Sequence, residues 1–109
     1  MTHVLIFKSK IGEIKGFNLI GHAEYGNAGE DIVCAGISAL VINTINSLEK
    51  LAGLHPCLTV NEEEGLIDCR FTEEINDNGK LLIESLILGL EGIRKQYGEK
   101  YLDLTFEEV

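Results

Sequence analysis

Length, composition and charge already narrow the classes to which the chain can belong. Its 109 residues fit one domain, 1–109, and a content of 45% hydrophobic and 25% charged residues is typical of folded globular proteins, which argues against disorder. The net charge of -9 would be repelled by phosphates, so we expect no direct nucleic-acid binding, and a basic partner is easier to accommodate.

The sequence predicts neither a targeting segment nor a cross-linked framework. The opening MTHVLIFKSKIG has no charged leader followed by a long apolar stretch, so we expect no signal peptide. No uninterrupted apolar run reaches the roughly 18 residues of a membrane span. The 3 cysteines are odd in number and lack a Cys-x-x-Cys spacing, which predicts neither a disulfide framework nor a structural zinc site. We therefore expect a reducing cytoplasm and no membrane.

The first half of the chain predicts a hairpin, a loop and a long helix. Residues 2–8 and 14–20 are rich in β-branched and aromatic residues and flank a glycine-containing turn, as strands of a β-hairpin do. Residues 21–31 contain several glycines and little apolar material, which predicts a loop. A largely buried helix is predicted from about Ile32 to Leu51, with Asp31 as its N-cap.

The second half predicts the same kinds of element again. Residues 57–61 and 66–71 read as a hairpin around the acidic turn EEEG, and 79–97 carry the apolar stripe of a helix. Residues 101–106 close the chain as a strand. The order β-β-α-β-β-α-β predicts an α+β fold with two helices packed on a mixed or antiparallel sheet.

Two cysteines lie on the second predicted hairpin. Cys57 and Cys69 are equally distant from Glu63, so a symmetric turn would place them opposite one another. In a reducing compartment we interpret both as buried thiols.

The third cysteine lies at a position that favours a reactive thiolate. Cys34 falls in the first turn of the predicted helix, where converging N–H groups and the helix dipole stabilise a thiolate. His22 directly follows a strand end, and the loop between them would let its imidazole reach the Cys34 sulfur. Free N–H groups of the same helical turn would then be available to hold the oxyanion that develops when the sulfur attacks an amide carbonyl. This arrangement is that of a thiolate nucleophile with an imidazole base.

Simpler interpretations of these residues stay open on spacing alone. A single cysteine in a helix is more often a small buried residue than a nucleophile, and a histidine near a strand end is often only a surface residue. A zinc site of His22, Cys34 and a carboxylate lacks the expected spacings, so no metal ligands are predicted. His3, in an opening strand, and His55, beside a proline, are poor candidates for catalysis.

A set of motifs between Gly21 and Ser38 is more specific than any of these spacings. It comprises GHAEYG, a Gly-Glu-Asp lead-in and the run DIVCAGIS. In these motifs, and over nearly its whole length, the chain closely resembles the Prp family of bacterial ribosomal-processing cysteine proteases. The resemblance is carried by the glycine–histidine pair, the loop and the Cys-x-x-x-Ser run occurring together.

The resemblance implies a function and its residues. Cys34 and His22 would be a catalytic dyad that removes a short N-terminal extension from the twenty-seventh protein of the large ribosomal subunit. It implies no metal or other cofactor, a homodimer, and a loop at 23–30 that moves to admit the peptide. Gly21, Asp31 and Ser38 also match, in supporting or substrate-binding roles.

Alternatives remain for these supporting residues and for the whole chain. Asp31 either caps the helix, which its position favours, or orients His22, and Ser38 either lines the site or only packs one turn beyond Cys34. The loop has few apolar anchors, so we expect it to be a mobile gate. The competing functions are a non-enzymatic module that docks on a basic ribosomal partner and a thiol-dependent transferase.

Overall fold

The computed structural model describes residues 1–27 and 31–109 of the chain. The elements are β1 Thr2–Lys8, β2 Ile14–Ile20, α1 Ile32–Lys50, β3 Cys57–Asn61, β4 Leu66–Arg70, α2 Asp77–Tyr97 and β5 Leu102–Glu108. The predicted element order and the α+β class are confirmed. Helix α2 begins 2 residues earlier and β5 ends 2 residues later than the sequence pattern predicts.

The five strands form one mixed sheet in the order β3-β4-β2-β1-β5. Strands β1 and β5 are parallel, and the other neighbours are antiparallel. Ile6 lies opposite Phe17 and Val4 opposite Leu19, so these side chains share one face of the sheet. They join the buried side chains of both helices in one hydrophobic core.

Helix α1 packs by one face only. Its buried residues recur at helical spacing and are Val33, Ile37, Val41, Thr44, Ile45 and Leu48. On the other side Ile32 is 56% and Ile42 52% exposed, so the expectation of a largely buried helix is wrong. The reason is that the described residues form two layers, helices and sheet, and none of them covers the outer face of α1.

The apolar character of α1 has a second consequence. By length and composition alone the helix could cross a membrane, but core helices meet the same test, so this is weak evidence. In the structure α1 packs against α2, where the Gly89 position accommodates the side chain of Leu40. The buried stripe of α1 is therefore explained by packing within the domain.

The β3–β4 hairpin corrects the prediction for its two cysteines. Cys57 lies opposite Arg70, and Cys69 lies opposite Leu58, because the turn has four residues between Asn61 and Leu66 and is not centred on Glu63. A shift of one residue moves a side chain to the other face of the sheet. Accordingly Cys69 is fully buried in the core, whereas Cys57 is exposed.

The core face of the sheet extends beyond the helices at this hairpin. Leu58 and Val60 pair with Cys69 and Ile67 and share their face, yet they are 43% and 55% exposed. Strand β3 is the edge of the sheet, so its apolar side chains form one wall of an open groove whose other wall is α1. This groove leads to the candidate residues described next.

Candidate active site

The position of His22 depends on the glycine before it. Strand β2 ends at Ile20, and Gly21 then adopts a φ of 96°, in the region that favours glycine. A Cβ at Gly21 would lie 2.5 Å from the carbonyl oxygen of Met1, so a larger residue is also excluded by contact. The Gly21 N–H donates to the carbonyl of Glu64 at 3.1 Å, which joins this segment to the β3–β4 turn.

The His22 ring is held by the same turn. Its Nε2 lies 3.2 Å from the main-chain carbonyl oxygen of Glu63. His22 is exposed and lines the cavity that also contains Cys34. The β3–β4 turn therefore fixes both residues of the glycine–histidine pair, Gly21 through its N–H group and His22 through its ring.

Cys34 is the third residue of α1 and is half-buried. Its N–H donates to Oδ1 of Asp31 at 2.9 Å, and Oδ2 of Asp31 accepts the N–H of Tyr25 at 2.9 Å. The predicted N-cap is thus confirmed. One carboxylate links the start of the helix that carries Cys34 to the loop that follows His22.

The charge of Asp31 is stabilised by this arrangement. Desolvation raises the pKa of its carboxyl group, but backbone hydrogen bonds from Cys34, Tyr25, Gly26 and Val33 together lower the pKa by more than desolvation raises it. The net shift of the pKa is therefore downward from 3.8. The capping carboxylate is therefore ionised at neutral pH.

The same hydrogen bonds reduce the number of donors available at the expected oxyanion site. We expected free N–H groups in the first turn of α1, but the Cys34 N–H is already donated to Asp31, and that of Ala35 to the Asp31 carbonyl at 3.0 Å. In this conformation these two donors are not available to a substrate. The carboxylate cap and an oxyanion compete for the Cys34 N–H group.

A cavity brings the candidate residues together. His22, Cys34 and Ser38 all line a space of about 420 Å³, and Gly21 lines it too. Asp31 joins His22, Cys34 and Ser38 around a second, adjoining cavity. Within the described residues no hydrogen bond joins the His22 ring to the Cys34 sulfur, so the dyad remains a prediction, and such bonds often tighten only when substrate binds.

The first of these cavities is the end of the groove between α1 and the β3–β4 hairpin. Apart from the candidate residues its walls are mainly apolar, from Leu19, Ile37, Ile42, Ile45, Leu58, Val60, Leu66 and Ile67. Polar groups at the rim come from Asn46, Asn61 and Glu62. An apolar cleft with a few polar groups beside a thiol is suited to an extended peptide.

Part of the loop between His22 and Cys34 is better anchored than expected. Ala23 is buried, and Tyr25 makes edge-to-face contacts with Tyr97 and Tyr101, with ring centroids 5.4 and 5.0 Å apart. The expectation of few apolar anchors is therefore wrong for the segment up to Tyr25. Residues 28–30 of the predicted gate lie outside the described residues.

The two other cysteines and His3 lie outside the cavities around Cys34. Burial, with smaller contributions from Asp68 and Glu49, raises the pKa of the Cys69 thiol to about 12. Cys57 is exposed on the edge strand. His3 lies on another strand, 3.4 Å from Asp103. None of the three lines either cavity around Cys34.

Sequence analysis missed two parts of the site. The carbonyls of Glu63 and Glu64 contact the glycine–histidine pair through the main chain, which no side-chain motif reveals. Leu58 and Val60 form a wall of the groove, and alternation along β3 could have indicated that they share a face. Only the pairing of β4 with β2 shows that this face adjoins Cys34.

Comparison with known proteins decides the family. The family model described as cysteine protease Prp matches residues 1–102. The ribosomal processing cysteine protease Prp of Bacillus subtilis is 36% identical over 101 residues, which cover 89% of this chain and 90% of that protein. The chain belongs to the Prp cysteine protease family.

Solved Prp structures agree with the fold. The Staphylococcus aureus enzyme with a covalently linked product peptide superposes with a TM-score of 0.91 at 28% identity, covering 98% of this chain and 100% of that one. The same enzyme with a substrate peptide gives 0.86 at 27% identity, with the same coverage. Membership of this Prp family makes the chain a cysteine protease and sets aside the non-enzymatic module.

Proposed function

We propose that the chain is an endopeptidase that removes the N-terminal extension of a ribosomal protein, with Cys34 as nucleophile and His22 as base. The observation that carries the proposal is that both side chains line one cavity at the end of an apolar groove. The B. subtilis relative is named a ribosomal processing protease, and the S. aureus structures contain peptides. A ribosomal precursor is therefore the proposed substrate.

The proposed reaction proceeds through an acyl-enzyme. The Cys34 thiol gives its proton to the His22 imidazole, and the sulfur forms a bond to the scissile carbonyl carbon. The C–N bond then breaks, and the imidazolium returns the proton to the departing amine. Water, giving a proton to His22, attacks the thioester and releases the acid and the thiol. No metal or other cofactor takes part in these steps.

The groove supports binding of an extended segment. Ile42, Leu58 and Val60 are more than 40% exposed around it, so apolar side chains of a peptide would remove them from water. Gly21, Asp31 and Ser38 are proposed to support this site. Gly21 lets the chain turn, Asp31 holds the start of α1, and Ser38 contributes a hydroxyl to both cavities.

The test is cleavage of the proposed substrate, the precursor of the twenty-seventh protein of the large ribosomal subunit. Intact-mass measurement after mixing should give two products whose masses sum to that of the precursor plus water, and the Cys34→Ala variant should give none. An uncut precursor, or equal cleavage by Cys34→Ala, would overturn the proposal. Transfer to an added amine in place of water would favour the transferase alternative.

A homodimer, a cytoplasmic location and the absence of direct nucleic-acid or membrane binding are also proposed. Ile32 on α1 is 56% exposed and lines neither cavity around Cys34, so it gives apolar surface that a second copy would remove from water, and the net charge of -9 disfavours nucleic acid. Sedimentation at micromolar concentration should show a dimer. A single species near 12.0 kDa would contradict it.

A further inference from the structure

The β3–β4 turn makes a contact that the proposed dyad does not by itself require. The carbonyl oxygen of Glu63 lies 3.2 Å from Nε2 of His22, within the ordinary range for an N–H···O hydrogen bond. A carbonyl oxygen can only accept a hydrogen bond. The Nε2 atom must therefore carry the proton wherever this bond is formed.

This contact determines which ring nitrogen is left for catalysis. In a neutral imidazole one nitrogen is a donor and the other an acceptor, so a proton on Nε2 leaves the lone pair on Nδ1. Among the described residues Nδ1 has no hydrogen-bond partner, and the ring lies at the cavity that contains Cys34. We infer that the main-chain carbonyl of Glu63 acts as the third member of the catalytic site, selecting the Nε2–H tautomer so that Nδ1 is the base for Cys34.

The turn is held firmly enough for this role. The Glu64 N–H donates to Oδ1 of Asn61 at 3.3 Å, the Gly65 N–H donates to the carbonyl of Glu62 at 3.2 Å, and the Glu64 carbonyl accepts the Gly21 N–H. These bonds fix the carbonyls of the turn with respect to the strand end that carries His22.

Gly65 brings the turn close enough. It adopts a φ of 63°, and a Cβ on it would collide with the carbonyl oxygen of Gly21 and come within 3.2 Å of His22 Cε1. Only glycine allows both the left-handed backbone and this close approach. Glu63 is therefore a positioning residue that acts through its backbone, and Gly65 is what lets it do so.

The inference rests on the proposed role of His22 and adds a chemical step to it. When Nδ1 takes the thiol proton, the imidazolium carries N–H groups on both nitrogens, and the Glu63 carbonyl continues to accept from Nε2. The carbonyl therefore stabilises the charged ring and keeps its orientation, as the carboxylate does in a serine protease triad. When Nδ1 gives its proton to the leaving amine, the ring returns to the same tautomer.

The direct test reads the tautomer without any substrate. Long-range ¹H–¹⁵N correlation spectra of the Cys34→Ala variant, at a pH where the ring is neutral, should show Nε2 as the protonated nitrogen and Nδ1 as the unprotonated one. The Cys34→Ala change keeps the ring from forming an ion pair with a thiolate. A predominant Nδ1–H tautomer, or an equal mixture, would overturn the inference while leaving the protease function untouched.

A matched pair of glycine variants tests the role of the turn. Gly65→Ala should shift the tautomer equilibrium and, in the protein with Cys34 intact, lower kcat/KM by about 10- to 100-fold, because small displacements of a catalytic group have effects of this order. Gly53 has a similar φ of 68° but no atom within 4 Å of its Cβ position, so Gly53→Ala carries the same backbone penalty away from the site.

The pair separates positioning from stability. Gly53→Ala should keep the Nε2–H tautomer and stay within about 3-fold of the parent kcat/KM at a temperature where both variants are folded. Equal losses in the two variants, with an unchanged tautomer in Gly65→Ala, would overturn the inference. Loss of all cleavage in the unmodified protein, with the tautomer as expected, would instead count against the proposed function.

Discussion

The two helices begin with the same local device and use it differently. Asp31 accepts the N–H of the third residue of α1, and Asn76 accepts the N–H of the third residue of α2, at 2.9 and 2.8 Å. In α1 this third residue is Cys34, which lines a cavity. In α2 it is the buried Gly79, where a Cβ would lie 2.5 Å from a carbon of Leu54. The capped helix start is a general feature of both helices, and the residues around it decide whether a cavity and a candidate site form there.

The remaining polar side-chain atom of each capping residue also has a different role in the two helices. Asp31 uses its other oxygen for the N–H of Tyr25, in the loop after His22. Asn76 uses its amide nitrogen for the carbonyl of Ala52, just after the end of α1, at 2.8 Å. One cap therefore connects two parts of the candidate active site, and the other connects two helices of the scaffold.

The largest expected effect is on the thiol at the α1 position. Cys34→Ala should abolish proteolysis, by about 10⁴-fold or more, and leave the fold intact, because a covalent nucleophile has no substitute. Peptide cleavage followed by mass spectrometry measures the loss. The exposed Cys57 is the control, since Cys57→Ser should retain activity; near-parent cleavage by Cys34→Ala would show that the helix start of α1 is no more functional than that of α2.

The next effect tests the imidazole that lines the same cavity as this thiol. His22→Ala should reduce proteolysis by about 10²- to 10⁴-fold and also slow alkylation of Cys34, because the base that takes up the thiol proton is lost. The rate of reaction with a haloacetamide across pH, resolved by peptide mapping, checks the second effect. An unchanged pH profile would mean that only the helix terminus activates Cys34.

The two caps can then be compared by the same substitution. Asp31→Ala and Asn76→Ala should each lower the free energy of unfolding by about 1 kcal/mol, the usual cost of losing an N-cap. Only Asp31→Ala should also lower kcat/KM, by about 10-fold, because the loop after His22 loses its link to Cys34. Urea unfolding and peptide cleavage measure the two quantities; equal activity in both variants would show that the Asp31 cap serves stability alone, as the Asn76 cap does.

The effect that is smallest at neutral pH concerns a thiol that lies at neither helix start. Burial raises the pKa of Cys69 from 9.0 to about 12, so the folded state holds its proton where the unfolded state has released it. The resulting stabilisation is complete below pH 9 and is lost as the pH rises toward 12, by at most about 1.4 kcal/mol per pH unit.

The matched variant for this effect is Cys69→Ala. Urea unfolding of the parent and of this variant should give parallel pH dependences below pH 9 and a steeper decline for the parent above it. Parallel curves throughout would show that the buried thiol titrates as it does in the unfolded chain.

The sequence predicted local structure well for physical reasons that are visible in particular residues. The limits of β1 and β2 followed from the β-branched and aromatic runs at 2–8 and 14–20, and the cap at Asp31 followed from its side chain. The pairing of the two cysteines in the second hairpin did not follow, because the four-residue turn EEEG is centred between Glu63 and Glu64 and the prediction centred it on Glu63.

The site was only partly predictable for a different reason. His22 and Cys34 belong to one contiguous segment whose motifs carry a family resemblance, so they could be named. The groove requires Leu58 and Val60 from a strand whose place at the sheet edge depends on long-range pairing. The outer face of α1 was expected to be buried because apolar spacing does not show how many layers will cover a helix.

The contact between His22 and the Glu63 carbonyl has an evolutionary consequence. A group that belongs to the backbone cannot be removed by a point mutation, and it is supplied by any residue at that position. Among related sequences the side chains of this turn would then be free to drift, while its length and the glycine at its end would be retained. A third member of a catalytic site that is chosen in this way leaves its record in spacing and not in residue identity.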